Sequence, residues 1–281
     1  MDNSEVIINS VAADTINTIK SENDSGWILE HVMDGNYLDF SPFLKVYLPT
    51  EIFGLDISIT RHVVFMWLAS ILMFIIFVSV ARSYKKSLVP RGFTNFWEVF
   101  ILFVRDEIAK PTIGKGYETF LPYLLTAFFF ILFGNFLGLI PFSATFTSNI
   151  SVTATLATLT FIMIQIGGIK NNGLIGYLKG LVPHGVPIFL LPIMAIVEIL
   201  GLFTKPFALA IRLFANMTAG HIVIYALISL IFVMKSYLVS PVSIGMALFI
   251  YGLEVLVALL QAYIFTMLSA LFIGMAVHQE H

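Results

Sequence analysis

Beyond residue 62 the chain carries a succession of long apolar stretches. Val63–Ala81 is one apolar run, the length of a single transmembrane helix. Thr119–Ile169 carries no charge over 51 residues, too long for one span. Pro141 and the Ser/Thr/Asn patch through Asn149 divide it into two helices. Two further runs, Val186–Met234 and Pro241–Val277, flank a short turn at Lys235–Ser240, which predicts an antiparallel helical hairpin. The pattern predicts an all-α polytopic membrane protein of about five transmembrane helices, near 62–81, 120–140, 150–168, 186–234 and 241–277.

The remaining segments are polar. Residues 1–61 hold ten of the seventeen acids and read as an exterior aqueous tail, with a short amphipathic helix near Val11–Ile19. Residues 62–281 form the membrane domain. Thr94–Ala109 mixes aromatics with Glu98, Arg105, Asp106 and Glu107, which places a surface helix at about 94–110. Lys170 through Gly185 reads as a loop. The 49 residues of 186–234 would extend about 73 Å as a helix, against a hydrocarbon core of about 30 Å. The last two helices are therefore expected to be steeply tilted unless Pro187, Pro192 and Pro206 break the run. A tilted pair suits a protein that wraps a curved partner.

Composition agrees: 58% of the 281 residues are hydrophobic and 11% charged, far below the charge of a soluble domain. Seven Lys/Arg lie in 82–118, none in the 141–149 loop, two in 170–187 and one in the 235–240 turn. The positive-inside rule then puts the N-terminus outside and the C-terminus inside. There is no cysteine, hence no disulfide, thiolate metal site or Cys nucleophile. No basic patch supports nucleic-acid binding, no P-loop supports nucleotide chemistry, and no cleavable signal or targeting segment is expected. Neither a metal nor a cofactor is expected.

The candidate chemistry sits in the hairpin. From Pro206 to Met234 the one charged residue is Arg212, whose guanidinium stays protonated at any accessible pH. A lone arginine at mid-membrane costs several kcal/mol even on lenient scales (about 3) and needs a partner, a water-filled cavity or a function. No acid stands at i±3 or i±4, so its counter-charge is expected from another chain. Glu198, Lys205 and Arg212 are spaced by seven and would share one stripe if Pro206 does not break the helix. Counted from the turn, Arg212 is level with Gln261, and His221 with Glu254. Arg212 and His221 are nine apart, on opposite faces of a straight helix. Either the helix is irregular near Gly220, or the two pairs face different environments. Asn135, Gln165 and Gln261 also suit interhelical hydrogen bonding, and Lys205 and Lys235 suit snorkelling. His31, His62, His278 and His281 fall near ends or tails and are given no specific role.

The run Lys205-Pro-Phe-Ala-Leu-Ala-Ile-Arg212-Leu-Phe-Ala-Asn216-Met-Thr-Ala-Gly220-His221 resembles the signature helix of the subunit a family of F-type ATP synthases. Glu254-Val-Leu-Val-Ala-Leu-Leu-Gln261-Ala-Tyr-Ile-Phe resembles that family's last helix, and Asn135-Phe-Leu-Gly-Leu-Ile-Pro141 is more weakly similar. The likeness covers about 120–277. One family pattern has Glu after the Gly and His on the last helix; here the order is His221 and Glu254. The exchange keeps one acid and one base at the same depth.

The resemblance implies the proton-translocating stator of the Fo sector, with two offset half-channels serving a ring of c subunits. It implies Arg212 as the essential arginine facing the ring carboxylate. It places His221, Glu254, Asn216 and Gln261 near the outer half-channel or the arginine, and Glu198 near the inner side. Implied partners are the c-ring, the peripheral-stalk b subunits, other ATP synthase subunits and the lipid bilayer. The chain would hold no catalytic site of its own, acting only within the proton-transporting ATP synthase. A bacterial plasma (inner) membrane is the expected location, with the mitochondrial inner membrane the alternative. The rival function is a stand-alone secondary transporter or ion channel in which Arg212 binds an anionic substrate. Inverted repeats would favour that rival, and no second copy of the arginine helix is found.

Overall fold

The structure, a computed structural model, describes residues 35, 37–40, 44–49, 51–52, 55–56, 59–86, 92–140, 143–180, 189, 191–234 and 239–278. The expected helix at Val11–Ile19 lies outside these. Ahead of the membrane domain are two small antiparallel hairpins, β1 (Tyr37–Phe40) with β2 (Leu44–Tyr47) and β3 (Glu51–Ile52) with β4 (Leu55–Asp56). Tyr37 pairs with Tyr47 and Phe40 with Leu44.

Five helices are long and apolar enough to cross a membrane. They are α1 (Arg61–Lys86), α4 (Tyr117–Gly138), α5 (Ile150–Gly180), α6 (Leu191–Met234) and α7 (Ser240–Val277). Between α1 and α4 lies a bent helical segment: α2 (Phe93–Phe103), a π-helical turn (Val104–Ala109) and α3 (Lys110–Ile113). Its exposed side carries Asp106, bound by Arg105 at 2.8 Å and by Lys110. The Arg105 hydrogen bond, followed by that of Lys110, holds the Asp106 carboxyl well below the usual carboxylate range. Its inner side closes on α7, where His278 Nε2 lies 2.7 Å from the Ile113 carbonyl.

The core lies where α4, α5 and α7 meet. Phe128, Phe129, Ile131, Phe265 and Ile273 are fully buried there. A cluster of Phe77, Trp97, Phe129 and Phe133 ties α1 and α2 to α4, with ring centroids 4.5 to 6.1 Å apart. Such pairs add about 0.5–1.5 kcal/mol each beyond their buried area. Polar links are short and internal: Tyr123 to Thr160 at 2.6 Å joins α4 to α5, and Asn172 Nδ2 donates to the Ala276 carbonyl at 2.9 Å. In an apolar medium such groups must find partners inside the protein.

One feature departs from expectation, and one open alternative is decided. The stretch after Lys170 is helical as far as Gly180, with one left-handed residue, Gly173 (φ 69), marking a kink in place of a loop. Pro206 does not end its helix; α6 runs through it for 44 residues. A proline inside a membrane helix is tolerated when its surroundings satisfy the freed carbonyl, and Pro206 is buried. At 1.5 Å per residue α6 is about 66 Å long, so it must incline strongly to keep its apolar length within about 30 Å of hydrocarbon.

Candidate functional site

Antiparallel packing of α6 on α7 sets the site. Three rungs define the register. Lys205 Nζ stands 5.6 Å from the Phe272 ring, Asn216 Nδ2 donates to Gln261 Oε1 at 2.9 Å, and Glu254 lies against Gly220. Leu209, Leu213 and Met217, spaced by four, are buried on the inward stripe of α6.

Arg212 occupies the opposite stripe. It is exposed on the isolated chain, among the exposed Phe207, Ala208, Ile211, Ala215 and Ala219. Among the described residues no acid forms an ion pair with it. A fixed cation therefore stands on an apolar wall with small residues on either side, where another helix could approach closely.

His221 points elsewhere. Its Nε2 lies 2.7 Å from Thr145 Oγ1, in the connector between α4 and α5. That connector contains a short 3₁₀ turn, Phe146–Ser148, and Thr145 fits because Gly138 has no side chain to collide with it. Asn135 anchors it: its Oδ1 accepts from Thr147 Oγ1 at 2.7 Å and its Nδ2 donates to the Ala258 carbonyl. Since α6 is continuous here, Arg212 and His221 face different environments, which decides the open choice of azimuth.

Glu254 is 7% exposed, and both its oxygens are buried without a hydrogen-bond partner among the described residues. It is therefore not hydrogen-bonded to His221, although it packs against the residue next to it. A buried carboxylate with open valences is costly and ready to accept a proton or a water.

The other end of α6 differs. Glu198 and Lys205 line one cavity of about 340 Å³ with Tyr177, Phe272 and His278. The two residues share a side of α6; Arg212, one further step of seven along the same helix, is exposed. Arg212 sits between this cavity and the His221 end, about 10 Å from Lys205 and about 14 Å from His221 by helical rise.

Sequence reasoning passed over several residues of these two regions. His62, given no role, is 3% exposed and its Nε2 lies 3.4 Å from Ser148 Oγ. His278, likewise set aside, joins the Glu198 cavity. Thr145 and Ser148 belonged to a polar patch read as a turn. The signal was available in that patch, which is far richer in hydroxyls than a turn requires.

The family described as ATP synthase A chain matches residues 63–274 of this chain. The chain is 55% identical over 258 residues to ATP synthase subunit a of Chloroherpeton thalassium, across 90% of this chain and 77% of the relative. It is 54% identical over 254 residues to ATP synthase subunit a 2 of Chlorobaculum tepidum, across 89% and 72%. Against ATP synthase subunit a of Anaeromyxobacter dehalogenans it is 56% identical over 224 residues, across 78% and 58%.

Proposed function

Because this chain belongs to the ATP synthase subunit a family, we propose that it is the proton-translocating stator of the membrane sector. In this reading it offers two offset half-channels to a rotating ring of c subunits, each bearing one membrane-buried carboxylate. The observation that carries it is Arg212, a permanent cation on an outward apolar stripe with no acid paired to it among the described residues.

On the outer side the proton passes through Glu254 and His221 to a ring carboxylate, with Asn216 and Gln261 bracing the two helices. Once neutral, that carboxylate turns through lipid without the penalty of a buried charge. On the inner side it releases the proton into the cavity of Glu198, Lys205 and His278. Between the two, Arg212 favours the ionised carboxylate: at about 4 Å and an effective dielectric of about 20 the attraction is about 4 kcal/mol before desolvation. Its fixed charge also repels a proton moving straight from one half-channel to the other. Each proton brings about 2.3 kcal/mol per 100 mV.

The same reading gives the surface segment and α1 to peripheral-stalk b subunits. It puts the chain in a bacterial plasma membrane. Cysteine cross-linking tests it, and the chain has no cysteine of its own. Ala208→Cys and Ala215→Cys, on the arginine stripe, should each couple to a small ring-forming proteolipid in the assembled complex. A cysteine at Val80, buried within the chain, should not. Failure of both stripe positions in an assembled complex would remove the reading.

A further inference from the structure

We propose that His62, at the start of α1, is a proton-relay residue of the outer half-channel, handing protons to His221 through the hydroxyls of Ser148 and Thr145 and one bridging water. The inference rests on the half-channel reading above and adds a residue from a helix to which nothing else here gives a part in proton transfer.

Two histidines from helices far apart in sequence face one small chamber. Its volume is about 20 Å³, and its lining includes His62, Ser143, Thr145, Ser148, His221 and Tyr225. A chamber needs about 10–15 Å³ to hold one water, and that water needs two to four polar partners. Both conditions are met. A space of this size rimmed by five or six polar side chains is costly to leave dry and too small for anything larger.

The spacing forms a nearly continuous series. His62 Nε2 to Ser148 Oγ is 3.4 Å, and Thr145 Oγ1 to His221 Nε2 is 2.7 Å. Ser148 Oγ donates to the Thr145 carbonyl at 2.6 Å, so its hydroxyl turns from that carbonyl to the water when it passes a proton on. Ser148 and Thr145 both line the chamber, so one water held there can bridge their hydroxyls. The transfer balances. A proton from the outer side reaches His62 at its buried Nδ1, and one leaves from Nε2 towards Ser148. Each hydroxyl and the water receives one proton and passes one on, and His221 ends with the net proton.

The electrostatic surroundings are mixed and modest. Arg61 adjoins His62 on α1, and His221 and Tyr225 face the chamber from α6; Arg61, and Glu254 from α7, act electrostatically on Tyr225. A neutral imidazole can accept a proton on one ring nitrogen and release one from the other, which is what a relay position requires.

The test uses the whole complex reconstituted in vesicles, with ATP synthesis driven at a fixed membrane potential while the pH of the proton-donating side is varied. His62→Gln keeps a hydrogen bonder and removes the titrating group. Synthesis is expected to fall about tenfold or more, with a deficit that widens as the donating side is raised from about pH 5 to about pH 8, where free protons are scarce. A merely structural role would lower the rate by the same factor at every pH, and that result overturns the proposal, as does a parental rate. Ser148→Cys is the second arm, independent of His62→Gln assembling. Silver ion added on the donating side should block synthesis in Ser148→Cys and not in the parent; equal insensitivity overturns the proposal. Arg212→Ala runs in the same vesicles: if it synthesises ATP, the half-channel reading itself has failed, rather than the assignment of His62.

Discussion

The carboxylate of Glu254 fills the room that a side chain at position 220 would take. A Cβ built at Gly220 would run into Glu254 Oε1 and lie 2.9 Å from its carboxyl carbon. The two residues are on different long helices, so the glycine lets α7 press a buried acid onto bare α6 backbone, one residue from His221.

Gly220→Val should therefore displace the carboxylate without unfolding the bundle. Overpacking of this kind costs about 1–3 kcal/mol, roughly one to two powers of ten in the population of the parental arrangement. Proton-driven ATP synthesis in vesicles should drop by about that factor, while the yield of assembled complex stays near parental. A parental synthesis rate would mean that the acid's position against α6 does not matter to proton flow.

Exchanging the acid and the base tests their partnership. Each single change, His221→Glu or Glu254→His, places two like groups side by side, two carboxylates or two imidazoles. The double exchange restores one of each at the same depth, although it also moves the Thr145 hydrogen bond to a carboxylate. The double variant should synthesise ATP faster than either single variant. A double no better than the worse single would show that the two groups act apart.

Helix number and order were legible because lipid imposes a coarse rule: about twenty uncharged residues make a span, and Lys/Arg excess orients it. The level pairing on the last hairpin was legible to within about one turn: the residue bonded to Gln261 is Asn216, one turn on from Arg212, and Glu254 reaches Gly220, next to His221. Azimuth was not. A straight helix could set Arg212 and His221 on opposite faces, but only the connector, with Thr145 seated against Gly138, shows what the second face meets. His62 escaped for a related reason. Position near the end of an apolar run says nothing of a neighbour 86 residues away, and Ser148 is that neighbour. Gly173 misled in the other direction: Lys-Asn-Asn-Gly has turn composition, yet one left-handed residue lets the helix resume and carry Tyr177 to the Glu198 cavity.

The Asn216–Gln261 bond should behave as a brace and not as a carrier. Asn216 is exposed and Gln261 is 2% exposed, so truncation is asymmetric. Gln261→Ala empties a buried site and should cost about 1–3 kcal/mol; Asn216→Ala should cost less. Interhelical bonds in membranes average about 0.6 kcal/mol in double-mutant cycles, so the coupling energy should be near that value. Thermal unfolding of the detergent-solubilised complex measures it, and a coupling of zero would leave the 2.9 Å contact without energetic weight.

Charge alone at position 212 should not suffice. On the proposed stator function, Arg212→Ala removes the cation, and with it both the attraction that would hold a ring carboxylate ionised and the barrier between the half-channels. ATP synthesis should be lost, and vesicles holding the variant should leak protons passively. Arg212→Lys is the sharper case. An ammonium keeps the charge in water, but a lysine in apolar surroundings lowers its pKa readily and can itself surrender a proton, which guanidinium cannot. The exposed apolar stripe of Phe207 and Ile211 supplies such surroundings once a partner covers it. Arg212→Lys should thus fail in synthesis almost as completely as Arg212→Ala, by about 10²-fold or more if the lost stabilisation approaches the 4 kcal/mol of the ion pair. Raising the pH should worsen it further, since a neutral lysine no longer bars the direct route. The measurement is the initial rate of synthesis at matched potential across pH 6 to 9, beside passive proton leak. Near-parental synthesis by the lysine variant at every pH would mean that any cation serves, and that the permanence of the guanidinium charge has no part in the work.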